Sequence, residues 1–294
     1  MKCFYHSADL DGHCSGAIVR KKFPEVELIP INYGHKFPWA TLRYNVVSME
    51  MKEKVYMVDF SLQPFEDMVN LFFASQLVWI DHHESAIKEE RTYRSQLPRS
   101  GIPGIRKIGL AGCELTWQYL FPDSPLPEAV RLLGRYDVWD LKDPAVLPFQ
   151  FGMRTLVTWP KESLILWNIL LDDKPKKSAS MIKALIQDGE AIMRYAKEDS
   201  RKYCSSASFE TTLDGLKCIA VNKLLTNSQL FDSVWDPDKY HAMIAFGFRN
   251  GGWTVSLYST RRDVNCGEVC KARGGGGHKG AAGFQCKKLP FKLK

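Results

Sequence analysis

The chain opens on an alternation of short apolar runs and helical patterns. Lys2–His6 reads as a strand and Ala8–Gly12 as a loop. Residues Gly12–Phe23 suit a helix that buries Ala17, Ile18 and Val19. Val26–Ile31, Val55–Phe60 and Leu77–Ile80 are further strand candidates, and Pro64–Ser75 is helix-like, with Pro64 suited to a first turn. Strands alternating with helices predict a parallel sheet joined by crossover helices. The middle is more helical, at Cys113–Leu120, Pro127–Tyr136 and Leu164–Leu171. The run 172–177 (Asp-Asp-Lys-Pro-Lys-Lys) breaks the pattern as a linker or exposed turn, and apolar residues at helical spacing from Met181 then predict a connecting helix to about Tyr203.

The last ninety residues or so change character. Asp214-Gly215 between Phe209–Leu213 and Leu216–Val221 signals a hairpin, as does Asn250-Gly251-Gly252 between His241–Arg249 and Trp253–Ser259. A helix over Val264–Ala272 and a glycine run, Gly274–Gly277, follow. The prediction is an α/β protein with an N-terminal parallel-sheet domain (1–171), a linker and connecting helix (172–203) and a smaller C-terminal α/β domain with a mixed or antiparallel sheet (204–294). No internal repeat is visible.

Composition narrows this only slightly. Apolar residues make up 45% and charged residues 25% of 294, which excludes wholesale disorder. No run approaches the ~18 uninterrupted apolar residues of a membrane helix. The N-terminus is too polar for a signal peptide, so a cytoplasmic protein is expected. Eight scattered cysteines without a C-x-x-C pair argue against a disulfide scaffold or structural zinc site, and Cys266 and Cys270 fall on one helix face. The net charge of +7 is lopsided: residues 249–294 carry ten Lys or Arg against two acids, or +8, which leaves −1 for residues 1–248. A C-terminal positive field suits an anionic partner.

The candidate chemistry lies at strand ends. His6, Asp9 and Asp11 follow the first strand, Asp59 ends the Val55–Val58 run, and Asp81-His82-His83 end Leu77–Ile80. Asp137, with Asp140 beside it, closes a helix-like stretch. Any one of these is an ordinary cap or turn residue. Together they bring carboxylates and imidazoles to one sheet edge, where close carboxylates cannot all stay ionised without cations. A set dominated by carboxylate, with imidazole and without thiolate, favours manganese or magnesium over zinc. Two cations sharing a carboxylate suit phosphoester hydrolysis.

These motifs, in this order, resemble the DHH phosphoesterase superfamily: His6-x-x-Asp9-x-Asp11, Asp59, Asp81-His82-His83, then Tyr136-Asp137-Val138-Trp139. The run Gly274–Gly283, with His278, is similar to the signature of the DHH-associated C-terminal domain. The resemblance extends from residue 6 to residue 284. It implies one manganese on His6, Asp9 and Asp59, a second on Asp11, Asp59, His82 and Asp137, and Asp59 between them; Mg2+ or Co2+ are possible substitutes. Asp140 replaces Asp137 if the fourth motif is offset. Asp59, His83 and Asp81 form the implied catalytic set, with His83 at the scissile phosphate and Asp81 orienting a neighbouring histidine. Gly276, Gly277, His278 and Arg261 are the implied substrate contacts, across a cleft between domains; Arg262 is a weaker candidate than Arg261.

The implied reaction is manganese-dependent hydrolysis of short single-stranded oligonucleotides to nucleoside monophosphates. Nucleotide bisphosphates, cyclic dinucleotides, polyphosphate and pyrophosphate are alternative substrates. A metal-dependent nucleic-acid-binding protein without hydrolysis is an alternative of another class. Tyr33, Trp39 and Trp253 are candidates for stacking bases, although such aromatics more often pack. His13 reads as structural or substrate-proximal, and His35 as a loop residue of open use. No membrane partner is expected, and the oligomeric state, a dimer included, stays open.

Overall fold

The computed structural model describes residues 1–42, 52–172 and 175–293. The chain divides into two compact units, Met1–Ile192 and Met193–Lys294.

The first unit is built on β1 (Lys2–His6), β2 (Glu27–Ile31), β3 (Lys54–Val58) and β4 (Gln76–Ile80), paired in the order β2-β1-β3-β4. All three pairings are parallel. The strands read as continuous apolar runs because the sheet is buried on both faces. Tyr5, Tyr56, Val58, Val78 and Ile80 pack on one side with Ile18 of α1 (Leu10–Lys22), Leu115 of α4 (Gly112–Leu120) and Leu132 of α5 (Glu128–Asp137). Phe4, Met57, Leu77 and Trp79 pack on the other with Met68 of α2 (Glu66–Ala74) and Ala86 of α3 (Glu84–Thr92). α6 (Val146–Met153) and α7 (Leu164–Leu170) extend the first of these cores. α3 and α6 fall outside the predicted elements. α3 has only two apolar side chains, and α6 is apolar nearly all round with Pro148 inside it, so neither carries a helical stripe.

α1 starts hard against the end of β1. A Cβ on Gly12 would stand 2.0 Å from the His6 carbonyl oxygen, a backbone atom that cannot swing aside. Gly12→Ala is therefore expected to cost about 3 kcal/mol, as overpacking against rigid backbone does. A fall in the urea midpoint checks this, and an unchanged midpoint would contradict the close approach.

α8 (Pro175–Ala207) is one helix that begins in the first unit and ends in the second. The predicted break at 172–177 is corrected from Pro175 onward, where the helix starts; Asp173 and Lys174 lie outside the described residues. Pro175 lacks only an N–H that a first turn leaves unpaired.

The second unit carries β5 (Phe209–Leu213), β6 (Leu216–Asn222), β7 (Ala242–Arg249), β8 (Gly252–Tyr258), β9 (Gly276–Gly277) and β10 (Ala281–Cys286), ordered β5-β6-β7-β8-β10-β9. Both predicted hairpins form. Their turns, Asp214-Gly215 and Asn250-Gly251, hold φ near +52°, +78°, +53° and +74°, the conformation of a two-residue primed turn. Gly252, predicted as part of the second turn, is the first residue of β8. β6 and β7 pair in parallel, so the sheet is mixed. α9 (Cys266–Lys271) buries Cys266 and Cys270 against one face of this sheet, and Cys204 of α8 packs on the other. All eight cysteines are free thiols. Among the described residues, no helix is long and apolar enough to cross a membrane.

Candidate metal centre

Every residue of the acidic-histidine set except Asp137 and Asp140 lies at or just beyond the carboxyl end of β1, β3 or β4. Asp9 is the N-cap of α1, where its Oδ1 accepts from the Gly12 N–H at 3.0 Å. That leaves Oδ2, which sits 3.1 Å from His6 Nδ1. Asp11, in the first turn of α1, is buried and reaches the start of α4. There its oxygens accept from the Gly112 and Cys113 N–H groups at 2.7 and 2.8 Å, so the carboxylate faces the positive end of a helix.

Asp59 is central. Its Oδ2 lies 3.4 Å from His6 Nδ1 and its Oδ1 lies 3.2 Å from His82 Nε2. Its φ of 54° is left-handed, a conformation that Asp tolerates better than most side chains and that turns the carboxylate away from the strand. Gly112 makes room for it, since a Cβ there would stand 2.8 Å from Asp59 Oδ1. His82 Nε2 also lies 3.4 Å from Asp137 Oδ2 and 3.7 Å from Asp11 Oδ2. Of the two fourth-motif candidates, Asp137 joins the cluster, while Asp140 turns to Arg135 at 3.6 Å and Lys142 at 3.9 Å.

Three overlapping groups can each hold an ion: His6, Asp9 and Asp59; Asp11, His82 and Asp137; and Asp59, His82 and His83. Within each, the candidate ligand atoms lie within 4.8 Å of one another. His6 Nδ1 and Asp59 Oδ1 are buried and make no hydrogen bond, although opposite charges stand beside both. Atoms this close without hydrogen-bond geometry fit ligands aimed at a shared point. The donor set of carboxylate and imidazole fits Mn2+, Mg2+ or Co2+.

The charges are strongly coupled. Burial and the neighbouring carboxylates of Asp59 and Asp137 push Asp11 well above the usual carboxylate range. Burial and Asp59 lift Asp137 to about 6. Burial opposes ionisation of Asp59 as well, but His6 and His82 outweigh it and hold the group low. Burial likewise disfavours a charged His6, yet Asp59 and Asp9 raise it to about 10. His82 is raised by Asp59 and Asp137 against its burial.

Asp81 stands behind this layer. It is fully buried and acts only as an acceptor: Oδ2 takes Trp79 Nε1 at 3.2 Å, while Oδ1 takes the N–H groups of His82 (2.7 Å) and His83 (3.1 Å) and His83 Nδ1 (2.7 Å). The hydrogen bond that His83 donates to Asp81 raises His83 to about 9 despite partial burial. With Nδ1 anchored, His83 presents its other nitrogen. Its ring lies 4.6 Å from that of His82 and 6.3 Å from that of His6.

The other candidates sit elsewhere. His13 is buried between Thr158 Oγ1 at 2.9 Å and the Ser7 carbonyl at 3.3 Å, a structural post. In the second unit, the Arg261 guanidinium is engaged by Asp263 at 2.6 and 2.9 Å and by the Pro237 carbonyl at 2.6 Å. Arg262 is exposed. Gly276 and Gly277 form β9 against β10, and the His278 N–H donates to the Ala281 carbonyl at 2.8 Å, with the His278 side chain exposed. Trp39 and Trp253 pack against Phe37 and against Phe246 and Phe248. Sequence reasoning missed two features, one against Asp59 and one two residues past Asp137. One is Gly112, the first residue of α4 after its N-cap Ala111. Trp139, 63% exposed and left-handed at φ 58°, carries no local signal for that conformation.

No family model matches the chain. The Uncharacterized protein R106 of Acanthamoeba polyphaga mimivirus is 26% identical over 249 residues, covering 79% of this chain and 53% of that protein, so the chain spans about half the length of this relative. Among solved structures, the pGpG-specific phosphodiesterase PggH of Vibrio cholerae is 12% identical, with 97% of this chain and 92% of that one covered at a TM-score of 0.48. The exonuclease RecJ bound to manganese is 14% identical, with 96% and 84% covered at a TM-score of 0.45.

Proposed function

We propose that the chain is a DHH-type, metal-dependent phosphoesterase. Its favoured substrates are phosphodiester bonds of short single-stranded oligonucleotides, which it hydrolyses to nucleoside monophosphates. One observation carries the reading: Asp59 stands between two imidazoles, each oxygen facing a different ligand group, with buried ligand atoms that no protein partner satisfies. The ordered motifs at residues 6–11, 59, 81–83 and 137 support it. His6, Asp9 and Asp59 would hold one cation, and Asp11, Asp59, His82 and Asp137 the other.

Bound there, divalent cations supply Lewis acidity toward phosphoryl oxygens and lower the pKa of water. The chain's own residues do the rest. Asp11 is locked by two backbone N–H groups, which fixes its direction before any ligand arrives. Asp81 fixes the ring of His83, whose free nitrogen stands ready to donate to a phosphate oxygen as negative charge grows there.

Mn2+ is expected to raise the melting temperature, because it offsets the repulsion among Asp9, Asp11, Asp59 and Asp137. Free ion at 100 times its dissociation constant adds ~2.7 kcal/mol. A thermal melt with and without Mn2+ measures this, and Asp59→Asn should lose most of the gain. The substrate is tested by a Mn2+-supplemented panel of two- to five-nucleotide RNA and DNA, a 3′,5′-bisphosphate nucleotide, cyclic dinucleotides and polyphosphate. Turnover of the short oligonucleotides above the rest supports the reading. Salt-dependent binding of long nucleic acid without turnover would replace it with a binding role.

A further inference from the structure

Beside the His6 edge of the cluster, the segment after β2 and the segment after β3 enclose a cavity of about 390 Å³. This lies at the lower end of the ~300–1,000 Å³ typical of small-molecule sites. The whole cavity belongs to the first compact unit. Two of its walls are the rings of Tyr33 and Phe60, with centroids 4.6 Å apart. Each ring also stands 5.8 Å from the His6 imidazole, so the cavity borders the metal centre. Tyr33 is 47% exposed, which leaves much of this large side chain uncovered.

The polar lining is equally specific. The Asn32 side-chain oxygen accepts from the Tyr33 N–H at 2.8 Å, which leaves its amide nitrogen as a donor. Gln63 donates from Nε2 to Glu89 at 2.8 Å, which leaves its carbonyl as an acceptor. His35 and Lys36 are exposed on the cavity's rim. The exposed Tyr33 ring, backed by buried Phe60, beside one amide donor and one amide acceptor matches a planar heterocycle with a hydrogen-bonding edge. A polyphosphate chain has neither a π-face nor such an edge.

We propose that this cavity is a base-binding subsite, which takes the nucleobase of a nucleotide whose phosphate lies at the Asp59 cluster. Its preferred ligands are therefore nucleotides over polyphosphate or pyrophosphate. The phosphate's place rests on the phosphoesterase reading; the base's place rests on the cavity alone.

The test is calorimetric titration of the full chain with the four nucleoside 5′-monophosphates and with ribose 5-phosphate, which lacks a base. It is run with and without Mn2+, while Mn2+ binding is followed separately by water-proton relaxation. At least one nucleotide is expected to bind about 10-fold tighter than ribose 5-phosphate, the scale of a base stacked on an aromatic ring. Tyr33→Ala should remove most of that gain. Tyr33→Phe, which keeps the ring, should retain it, as should Tyr195→Ala on the exposed face of α8. Equal affinity of the wild type for all five ligands, or a base gain that survives Tyr33→Ala, would overturn the subsite. Mn2+ bound without any base gain refutes the subsite alone. A base gain without Mn2+ binding refutes the phosphoesterase reading and leaves the subsite standing.

Discussion

Asp59→Asn is expected to abolish Mn2+-dependent hydrolysis while the protein stays folded. Asn suits the test better than Ala because φ at this position is 54°, a left-handed conformation that Asn adopts at little cost and Ala does not. The amide keeps the shape of the side chain and one oxygen, but it loses the charge and turns an NH2 toward one of the two imidazoles. Only one of the two ligand groups can then keep its oxygen. Losing the shared carboxylate should forfeit several kcal/mol of transition-state stabilisation, so kcat is expected to fall by ~10^3-fold or more. Stability without metal should fall modestly, since His6 and His82 lose the carboxylate that holds them charged, a loss only partly offset by the relief of Asp11 and Asp137. Steady-state kinetics beside a thermal melt separates the two effects. A variant with wild-type turnover in Mn2+ would show that Asp59 is not the shared ligand.

His83→Ala is the second large effect. His83 lies outside the two groups assigned to the cations, and its Nδ1 is spent on Asp81. Its remaining nitrogen is placed to donate toward charge that appears only as the reaction proceeds. Loss of such a donor lowers kcat by ~10^2- to 10^3-fold. KM and Mn2+ affinity should move far less. Asp81→Asn should mimic it in part, for a different reason. Every hydrogen bond to Asp81 is donated to it, so an amide must turn an NH2 against a donor whichever way it sits. The His83 ring then loses its anchor. If His83→Ala instead releases Mn2+ without slowing the metal-saturated enzyme, His83 is a ligand and not a donor to substrate.

The acidic-histidine cluster was legible because its parts are local. Three strands end where apolar runs meet His6, Asp59 or Asp81-His82-His83, and a sheet places such ends together whatever the rest of the chain does. The choice between Asp137 and Asp140 was not local. It depends on how α5 ends and on Arg135, which draws Asp140 away from the cluster. The parallel pairing of β6 and β7 was illegible for a similar reason, since Lys223–His241 lies between them and neither strand records its neighbour's direction. The engagement of Arg261 could have been anticipated, because Asp263 lies two residues on and a guanidinium pairs readily with a nearby carboxylate. Gly112 and the Tyr33–Phe60 cavity could not. Each is defined by what comes close from a distant segment: Asp59 against α4, and the segment after β2 against the segment after β3.

The proposal that two cations share Asp59 is most directly tested by anomalous diffraction at the manganese edge from crystals grown with Mn2+. Two peaks are predicted, one beside His6 and Asp9 and one beside His82, Asp11 and Asp137, with Asp59 between them. A single peak on one side of Asp59, or manganese elsewhere with none at this cluster, would contradict the account.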